Sequence, residues 1–312
     1  MTNSPFPIQF NHRECPLCQS DDYVVLMGEE FDVSKVDQFS FSSRKTPEFM
    51  HHKMVVCGKC DLAYANPIPD VEWVRSNYVK AQFDTAYEST HAADNHCRLL
   101  DKVLPYVPDR QAALDIGAGD GAFLSKLLQR GFITIDGVEP SLAPIKQAPE
   151  SVREYIQQGF FNGTQYESDA FDLVTCFQVL EHVDDISNLI DSVYRILKPG
   201  GIFLSASHNY RAWSARILKS RSPIFDIEHL QLFSLESCRV YYDRCGYEDI
   251  HVEPMTNIYP LNYWVRLFPF PTLLRTTIQN TLRITNSGHL RMPIRDGNLW
   301  AWGRKPKLYA EP

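Results

Sequence analysis

The stretch Leu114-Asp-Ile-Gly-Ala-Gly-Asp-Gly-Ala-Phe-Leu124 decides the fold, because it joins a short apolar strand to a helix through three glycines. Glycine lets the main chain turn sharply and lets a ligand approach backbone N–H groups at the start of a helix. The spacing Gly117-x-Gly119-x-x-Ala122 also satisfies a loose dinucleotide fingerprint. The pattern therefore predicts a Rossmann-like unit with a nucleotide ligand at the glycine turn.

Strands and helices alternate on both sides of this turn. Apolar segments predict strands at 112–116, 134–138, 152–156, 171–176, 202–206, 246–252 and 299–302. Helices are predicted at 91–104, 122–130, 142–148, 185–197 and 235–244, and Lys198-Pro-Gly-Gly201 is expected to stop the fourth of them. This order predicts an α/β fold with a doubly wound, seven-stranded parallel sheet whose ligands bind at the carboxyl ends of the strands.

A carboxylate follows the second predicted strand at the distance expected of a ribose-binding residue. Glu139, with Pro140 after it, comes about 20 residues beyond the glycine turn and can accept hydrogen bonds from both ribose hydroxyls. This placement suits NAD and an adenosyl ligand equally. The choice between them depends on segments further along the chain.

Those segments are Phe171-Asp-Leu-Val174, Leu180-Glu-His-Val183 and Leu197-Lys-Pro-Gly-Gly201. With the glycine turn and Glu139 they resemble, in order, the motifs of the class I S-adenosylmethionine-dependent methyltransferases. The resemblance implies S-adenosylmethionine as cofactor. It assigns the methionine part to Asp115, Gly117, Ala118 and Gly119, the ribose to Glu139 and Pro140, the adenine to Phe160, and the underside of the cofactor to Gln178. The family's acidic adenine partner is missing beside Phe160.

Four of the eight cysteines form two Cys-x2-Cys pairs, Cys15 with Cys18 and Cys57 with Cys60. Because the N-terminal residues lack a secretory segment and cytosolic thiols stay reduced, a disulfide framework is not expected. Four thiolates fill a tetrahedral coordination sphere, which predicts a structural Zn²⁺ site. We predict a zinc-binding module over residues 1–75, with a loop or hairpin at about 29–48, and a methyltransferase domain over 76–312. Loss of zinc is expected to unfold the module without directly abolishing the chemistry.

The likeness extends to the zinc-containing C-methyltransferases of deoxysugar biosynthesis. Those proteins also begin with a four-cysteine module and carry Glu-His-x-x-x-Phe-Ser after the fifth strand, which corresponds here to Glu228-His-Leu-Gln-Leu-Phe-Ser234. The resemblance implies that Glu228 and His229 occupy catalytic positions, with His182 beside them. Asp226 stands where that family has a tyrosine, and the family's long third domain is absent.

Methyl transfer requires an in-line arrangement of donor and acceptor and a base for the acceptor's proton. His229 and His182 are the candidates for this base, because imidazole titrates near neutral pH. Two structural alternatives remain open. In the first, His229 only caps or packs against the start of the helix that begins near Leu235. In the second, His182 only lines the site.

Residues 253–298 are too many for a hairpin loop and predict an insertion over one end of the sheet. The part from 259 to 295 contains no Asp or Glu. Three interpretations remain open: arginines that bind a substrate phosphate, an amphipathic lid that contacts a membrane, and an aromatic lid over the cofactor whose arginines lie in water. The residues concerned are Arg266, Arg275, Arg283, Arg291, Arg295, Tyr259, Tyr263, Trp264, Phe268 and Phe270.

A formal charge of −7 disfavours bulk binding to nucleic acid, and no apolar stretch reaches the length of a membrane span, so we expect a cytoplasmic protein. The leading hypothesis is an enzyme that methylates oxygen or carbon of a sugar, nucleotide sugar or glycan-related small polar acceptor. The alternatives are an rRNA or tRNA methyltransferase with a zinc ribbon and a non-catalytic cofactor-binding scaffold. The sequence does not determine the acceptor, the methylated atom or the oligomeric state.

Overall fold

The structure is a computed structural model that describes residues 8–37, 39–42, 49–82, 86–295 and 297–307 of the 312-residue chain. Within the loop predicted at about 29–48, residues 38 and 43–48 lie outside the described residues. Its described part includes Phe41, which is buried. That segment therefore contributes a side chain to the protein interior.

The first part of the chain forms short strands and one helix. Their bounds are β1 (Phe10–Asn11), β2 (Tyr23–Met27), β3 (Met54–Cys57), β4 (Ala63–Ala65), β5 (Ile68–Pro69) and α1 (Val71–Lys80). Strands β2, β3 and β4 pair antiparallel, and β1 pairs with β5. Asp70 caps α1, because its side chain accepts a hydrogen bond from the N–H of Trp73 at 3.1 Å.

The middle of the chain alternates helices and strands. The bounds are α2 (Ala86–Val103), β6 (Ala112–Ile116), α3 (Ala122–Gln129), β7 (Thr134–Glu139), α4 (Leu142–Gln147), α5 (Glu150–Arg153), β8 (Ile156–Gln158), β9 (Phe171–Phe177), α6 (Ile186–Ile196), β10 (Leu197–His208), α7 (Trp213–Leu218), β11 (Gln231–Leu232) and α8 (Leu235–Cys245). The last part contains β12 (Glu248–Pro254), β13 (Asn257–Pro260), α9 (Leu261–Leu267), α10 (Thr272–Ile284), β14 (Arg291–Ile294) and β15 (Asn298–Arg304).

Seven strands of the described residues form one sheet in the order β12-β15-β10-β9-β6-β7-β8, which confirms the predicted doubly wound α/β fold. The five strands from β6 to β10 are parallel to one another. Strand β15 runs antiparallel to both β10 and β12, so the parallel arrangement predicted from the alternating strands and helices does not extend to this edge. Strand direction depends on the route of the connection, which the residues of a strand do not encode.

Two local predictions differ from the structure. The strand predicted at 152–156 is a helix as far as Arg153, and the strand begins only at Ile156. A short run of buried apolar residues does not distinguish a helix from a strand. Val152, the first residue of the predicted strand, is fully buried although it lies in a helix. The helix does end next to the predicted stop at 198–201, since α6 ends at Ile196, but the residues of the stop belong to β10, which pairs with β9 from Leu197 onward with an irregularity in the register.

The N-terminal sheet is completed by a strand from far along the chain. Strand β11 pairs antiparallel with β4, with Gln231 opposite Tyr64. Buried side chains from both parts, among them Leu17, Tyr64 and Tyr241, belong to one continuous hydrophobic core. The boundary near residue 75 stays a prediction, and the two parts that it separates share a core.

The connection from β12 to β15 contains the predicted insertion. Its strands β13 and β14 pair antiparallel, with α9 and α10 between them. Asn95 of α2 holds the insertion by accepting a hydrogen bond from the N–H of Ile258 at 2.9 Å and donating to the carbonyl of Ile258 at 3.2 Å. Among the described residues, no helix is both long and apolar enough to cross a membrane.

Candidate active site

The glycine turn borders a cleft at the carboxyl ends of β6 and β7. Gly117, Gly119 and Gly121 have φ values of 80°, 55° and 70°, a region that favours glycine. A Cβ added to Gly117 would lie 2.2 Å from Cγ2 of Val179, whereas a Cβ added to Gly119 would meet no atom within 4 Å. The main chain at Gly119 therefore faces open space, as a backbone cradle for a ligand requires.

Glu139 is anchored beside this turn by two backbone N–H groups. Its Oε2 accepts a hydrogen bond from the N–H of Gly119 at 3.0 Å, and its Oε1 accepts one from the N–H of Ser141 at 2.9 Å. A carboxylate oxygen can accept more than one hydrogen bond, so a carboxylate held in this way can also bind a pair of adjacent hydroxyls. This arrangement fits the ribose of an adenosyl cofactor.

Asp115 lies buried at the base of the cleft. The hydroxyl of Thr175 donates a hydrogen bond to its Oδ1 at 2.6 Å. Burial raises the pKa of the Asp115 carboxyl to about 7, and the negative charge of Glu139 adds to the increase. The carboxyl therefore changes its charge near neutral pH, next to the glycine turn.

This pKa predicts how stability depends on pH in the absence of ligand. Since the folded pKa lies above the ordinary value of 3.8, the contribution of Asp115 to the free energy of unfolding falls as pH rises from about 4 to about 7. The loss is on the order of 4 kcal/mol. We expect Asp115→Asn to be more stable than wild type at pH 8 and similar to it at pH 4 in urea denaturation. Asp109→Asn, at an exposed carboxyl, is the matched control; equal pH dependence of Asp115→Asn and wild type would contradict this assignment.

Two distant motifs are joined by a main-chain hydrogen bond. The N–H of Leu230 donates to the carbonyl of Glu181 at 2.8 Å. Because Leu230 follows His229 and Glu181 precedes His182, the two imidazoles lie side by side, with ring centroids 4.9 Å apart. The structure thus brings together the two histidines that the sequence indicated.

The orientation of His229 leaves one ring nitrogen basic. Its Nδ1 lies 2.7 Å from the carbonyl oxygen of Ile224, so Nδ1 carries the proton and donates it to that carbonyl. Nε2 is then the nitrogen that can accept a proton. Helix α8 is capped by Ser234, which accepts from the N–H of Ser237 at 3.1 Å, so the alternative that His229 caps this helix is wrong.

Tyr78 of α1 is a site residue that the sequence did not indicate. Its hydroxyl lies 2.5 Å from Nδ1 of His182 and 3.3 Å from Oε2 of Glu228. Burial, followed by the negative charge of Glu228, raises the pKa of this hydroxyl well above its ordinary value, so Tyr78 stays protonated. Helix α1 thus brings a phenol to the acid and the histidine of this cleft.

His208 at the end of β10 is a second residue that sequence reasoning missed. Its ring centroid lies 4.8 Å from that of His229, and its Nδ1 lies 2.7 Å from Oδ1 of Asn298. Burial lowers the pKa of His208 to about 4, which keeps the ring neutral at physiological pH. Its position at the carboxyl end of a parallel strand is a signal that could have identified it.

The end of the cleft at Phe160, the predicted adenine position, is open. Phe160 is 42% exposed, and the guanidinium of Arg75 lies over its ring at 5.5 Å from the centroid. Gln178 follows β9 with φ at 55°, and its N–H donates to the carbonyl of Ala206 at 2.7 Å. A non-glycine residue with positive φ is uncommon, and such residues often occur at functional sites.

The insertion supplies an aromatic wall of the cleft. Tyr259 and Tyr263 stack with ring centroids 4.0 Å apart, and Trp264 lines the cleft beside them. Arg266 forms an ion pair with Glu88 at 3.0 Å, and Arg291 forms one with Asp94 at 3.7 Å. These contacts favour the aromatic lid over a phosphate site for the two arginines, since acidic residues of α2 already engage them.

All predicted cofactor-binding and catalytic residues line this cleft, whose volume is about 510 Å³. The cofactor and catalytic roles given to them stay predictions. The residues are Asp115, Gly117, Ala118, Gly119, Glu139, Pro140, Phe160, Gln178, His182, Glu228 and His229.

The four predicted metal ligands form a separate cluster. Their sulfur atoms all lie within 4.8 Å of one another, with 3.4 Å from Cys15 to Cys60 and 3.4 Å from Cys18 to Cys57. Thiolates around a tetrahedral zinc ion, at a Zn–S distance of about 2.3 Å, would be about 3.8 Å apart. A disulfide would need about 2.05 Å. The cluster therefore has the dimensions of a zinc site.

The two cysteine pairs have the same main-chain turn. In each, the N–H of the first cysteine donates to the carbonyl five residues later, and its carbonyl accepts from the N–H four residues later. The residue in that fourth position has a positive φ, 58° at Gln19 and 59° at Asp61. Two equivalent knuckles facing each other present four sulfurs to one point, which fits a single ion.

Comparison with known proteins identifies the central part of the chain. A family model described as a methyltransferase domain matches residues 89–252, more than half of the 312 residues. Ubiquinone biosynthesis O-methyltransferase of Pseudomonas entomophila is 34% identical over 113 residues, which cover 34% of this chain and 48% of the relative. The corresponding protein of Histophilus somni is 27% identical over 117 residues, which cover 34% and 49%. The chain thus spans about half the length of the curated relatives it matches.

Solved structures give a similar comparison. A SAM-dependent methyltransferase from Archaeoglobus fulgidus has a TM-score of 0.46 and 16% identity, with 76% of this chain and 100% of that chain covered. Phosphoethanolamine N-methyltransferase 2 of Haemonchus contortus, in complex with S-adenosyl-L-methionine, has a TM-score of 0.44 and 19% identity, with 76% and 56% covered.

Proposed function

This chain belongs to the methyltransferase-domain family, and on that premise we propose that it transfers the methyl group of S-adenosylmethionine to a small acceptor. The observation that carries this proposal is the joint placement of Glu139, anchored to Gly119, and the basic nitrogen of His229 in one cleft. One end of that cleft suits a nucleoside, and the other can remove a proton. The residues between them line one connected space.

Bound S-adenosylmethionine supplies an electrophilic methyl group on a sulfonium ion. In this proposal Glu139 binds the ribose hydroxyls, the main chain at Gly119 and the carboxyl of Asp115 bind the methionine part, and Phe160 covers the adenine. The fit rests on the open space at Gly119 and on the two N–H groups that fix Glu139. These residues act by positioning the cofactor, which is the main requirement of methyl transfer.

His229 acts as the general base. Its Nε2 accepts the proton that the acceptor loses as the acceptor's oxygen or carbon takes the methyl group. The carbonyl of Ile224 fixes the ring in the required tautomer. Glu228, Tyr78 and His182 form the hydrogen-bonded group beside it that orients the acceptor.

A sugar or nucleotide sugar is the first acceptor class that we propose. Its support is the hydrogen-bonded group of Tyr78, His182 and Glu228, together with the resemblance of Glu228 and His229 to the acid and histidine of the deoxysugar C-methyltransferases. A phenolic ring is the second class, because the curated relatives bear the name of an O-methyltransferase of ubiquinone biosynthesis. The stacked Tyr259 and Tyr263 provide a flat wall that suits either kind of ring.

The test is methyl transfer from donor labelled with ¹³C in the methyl group. Zinc-replete protein is incubated with nucleotide sugars, with catechols, with a small-molecule extract of a microbial culture and with total RNA, and NMR identifies whether the label is bound to oxygen or carbon. We expect a labelled small molecule together with S-adenosylhomocysteine. Label that enters only RNA would favour the rRNA or tRNA alternative. Donor binding without any transfer would favour the non-catalytic scaffold.

Tyr78→Phe tests the hydrogen-bonded group. We expect kcat to fall about tenfold, because loss of one hydroxyl between His182 and Glu228 removes a hydrogen bond to a charged group. The Kd of S-adenosylhomocysteine should be unchanged, and the pH profile of kcat should shift. Tyr155→Phe, at an exposed tyrosine, is the matched control. Wild-type kcat and pH profile in Tyr78→Phe would remove Tyr78 from the site.

We also propose that Cys15, Cys18, Cys57 and Cys60 hold a structural zinc ion. The proposal is supported by the spacing of the four sulfurs and by the two equivalent knuckles. Four protein ligands complete a tetrahedral sphere and leave no position for an acceptor. The ion would act on the fold and not on the methyl group.

A further inference from the structure

Exposed aliphatic side chains concentrate on α10. Leu273 is 86% exposed, Ile284 is 81% exposed and Leu274 is 46% exposed. All residues of α10 are described, and none of them is buried. A helix of this kind has an apolar surface without a partner inside the chain, and such surfaces mark sites of interaction with proteins or membranes.

Two threonine hydroxyls of α10 donate hydrogen bonds to the helix backbone. Leu273, Thr277 and Ile284 follow one another at helical spacings of four and seven residues, which places them on one face. The hydroxyl of Thr277 donates to the carbonyl of Leu273 at 2.9 Å, and that of Thr281 donates to the carbonyl of Thr277 at 3.0 Å. These two hydroxyls bond within the helix, while the amide of Asn280, three residues after Thr277 on the same face, is exposed to water.

Positive charge is concentrated in the two segments that contain α10 and α7. The insertion from 259 to 295 contains five arginines and no carboxylate, and the segment from 210 to 225, which includes α7, contains four cationic residues and no carboxylate. The whole chain has a formal charge of −7, so these two segments differ in sign from the average. Three of these nine cationic residues, Arg266, Arg291 and Arg211, form ion pairs with Glu88, Asp94 and Asp61. The other six are Arg216, Lys219, Arg221, Arg275, Arg283 and Arg295.

The two segments adjoin each other at the cleft. The indole N–H of Trp213 in α7 donates to the carbonyl of Arg295 in the insertion at 2.8 Å. Trp213 is 56% exposed, and Ile217, one turn further, is 69% exposed. Trp213 from α7 and Phe268, four residues before α10, both line the cleft, so the two segments meet at the same cleft.

We propose that this docking surface, formed by α7 and α10, lies on a membrane that contains anionic lipid. The exposed aliphatic residues would enter the boundary between headgroups and acyl chains, while the arginines and Lys219 contact lipid phosphates. The 13 residues of α10 extend about 20 Å, which suits a helix in the plane of the interface. Exposed aliphatic residues, which contribute little to base stacking, favour lipid over nucleic acid as the partner.

The test is cosedimentation of the full zinc-replete chain with vesicles of phosphatidylcholine alone and with added phosphatidylglycerol. We expect binding to the anionic vesicles and a decrease with rising salt. Leu273→Ser with Ile284→Ser should weaken binding about tenfold, because two aliphatic groups no longer leave water. Ile133→Ser is the matched control, because Ile133 is 68% exposed and lies outside α7 and α10. This variant should bind to anionic vesicles as the wild-type protein does.

Charge is tested separately. Arg275→Gln and Arg283→Gln should each weaken binding about fivefold, and Lys146→Gln, at an exposed lysine elsewhere, should have no effect. Unchanged melting temperatures will show that the variants are folded. The proposal would be overturned by equal binding to neutral and anionic vesicles or by no binding to either. It would also be overturned if polyuridylate displaced the protein from the vesicles and the same variants weakened binding to polyuridylate. The readout is binding alone, so it is independent of the proposed methyl transfer.

Discussion

His229→Ala is expected to lower kcat by about 10² to 10⁴, the range that a positioned general base contributes. The Kd of S-adenosylhomocysteine should stay within about twofold, because in our assignment the cofactor contacts Glu139 and the glycine turn and not this imidazole. The reason for the large effect is geometric. Nδ1 of His229 donates to the carbonyl of Ile224, so Nε2 is the basic atom in the cleft. Steady-state kinetics with the acceptor found in the labelling assay, combined with calorimetry, measure both quantities.

His251→Ala is the matched control, because this histidine lies on β12 with a side chain 47% exposed. We expect wild-type kinetics from it. Wild-type turnover in His229→Ala would show that another group takes the proton, with His182 the next candidate. Loss of cofactor binding together with turnover would show instead that His229 supports the fold of the cleft.

Replacing Cys60 with serine is expected to remove the zinc ion and to lower stability and activity together. Apparent zinc-binding free energies of structural sites are about 10 to 16 kcal/mol and appear as folding energy. The sequence suggested that zinc loss would unfold the module without directly abolishing the chemistry, and the contacts of the module predict an indirect loss of activity. Strand β4 begins at Ala63, three residues after Cys60, and pairs with β11, which begins two residues after His229.

Further contacts join the cysteine module to the segment that carries His229. The guanidinium of Arg13, next to the first knuckle, donates to the carbonyl of Leu230 at 2.8 Å. Asp61 of the second knuckle accepts from the hydroxyl of Tyr210 at 2.9 Å and forms an ion pair with Arg211. Disorder in the knuckles would therefore reach the active site through several independent contacts.

The measurements for this prediction are zinc content by elemental analysis, melting temperature, and turnover. Cys245→Ser is the matched control, because Cys245 lies outside the cluster and is half-buried. We expect it to retain zinc and activity. A Cys60→Ser protein with a wild-type melting temperature and turnover would contradict both the metal site and its connection to His229.

The sequence predicted features that depend on neighbours along the chain. The glycine turn and Glu139 belong to one β-turn-α-β unit, in which the spacing of strands and glycines fixes the geometry. The same holds for the cysteine knuckles, whose turns close within six residues. Local periodicity and turn chemistry are sufficient for such features.

Features that depend on distant packing could not be predicted in this way. Tyr78 contacts Glu228, 150 residues away, only because α1 packs against the loop between β10 and α8. Strand β11 joins the N-terminal sheet for a similar reason, and the direction of β15 depends on the path of the insertion. His208 is an exception, since the end of a parallel strand is a known place for ligand contacts.

The central claim is that the glycine turn and Glu139 bind an adenosyl donor, and isothermal titration calorimetry with S-adenosylhomocysteine tests it most directly. We predict one-to-one binding by the zinc-replete wild-type chain and about hundredfold weaker binding by Glu139→Ala, because two hydrogen bonds to a carboxylate are lost. Glu154→Ala, at an exposed carboxylate nearby in sequence, should bind as wild type. No binding by the wild-type chain, or wild-type affinity in Glu139→Ala, would contradict the claim.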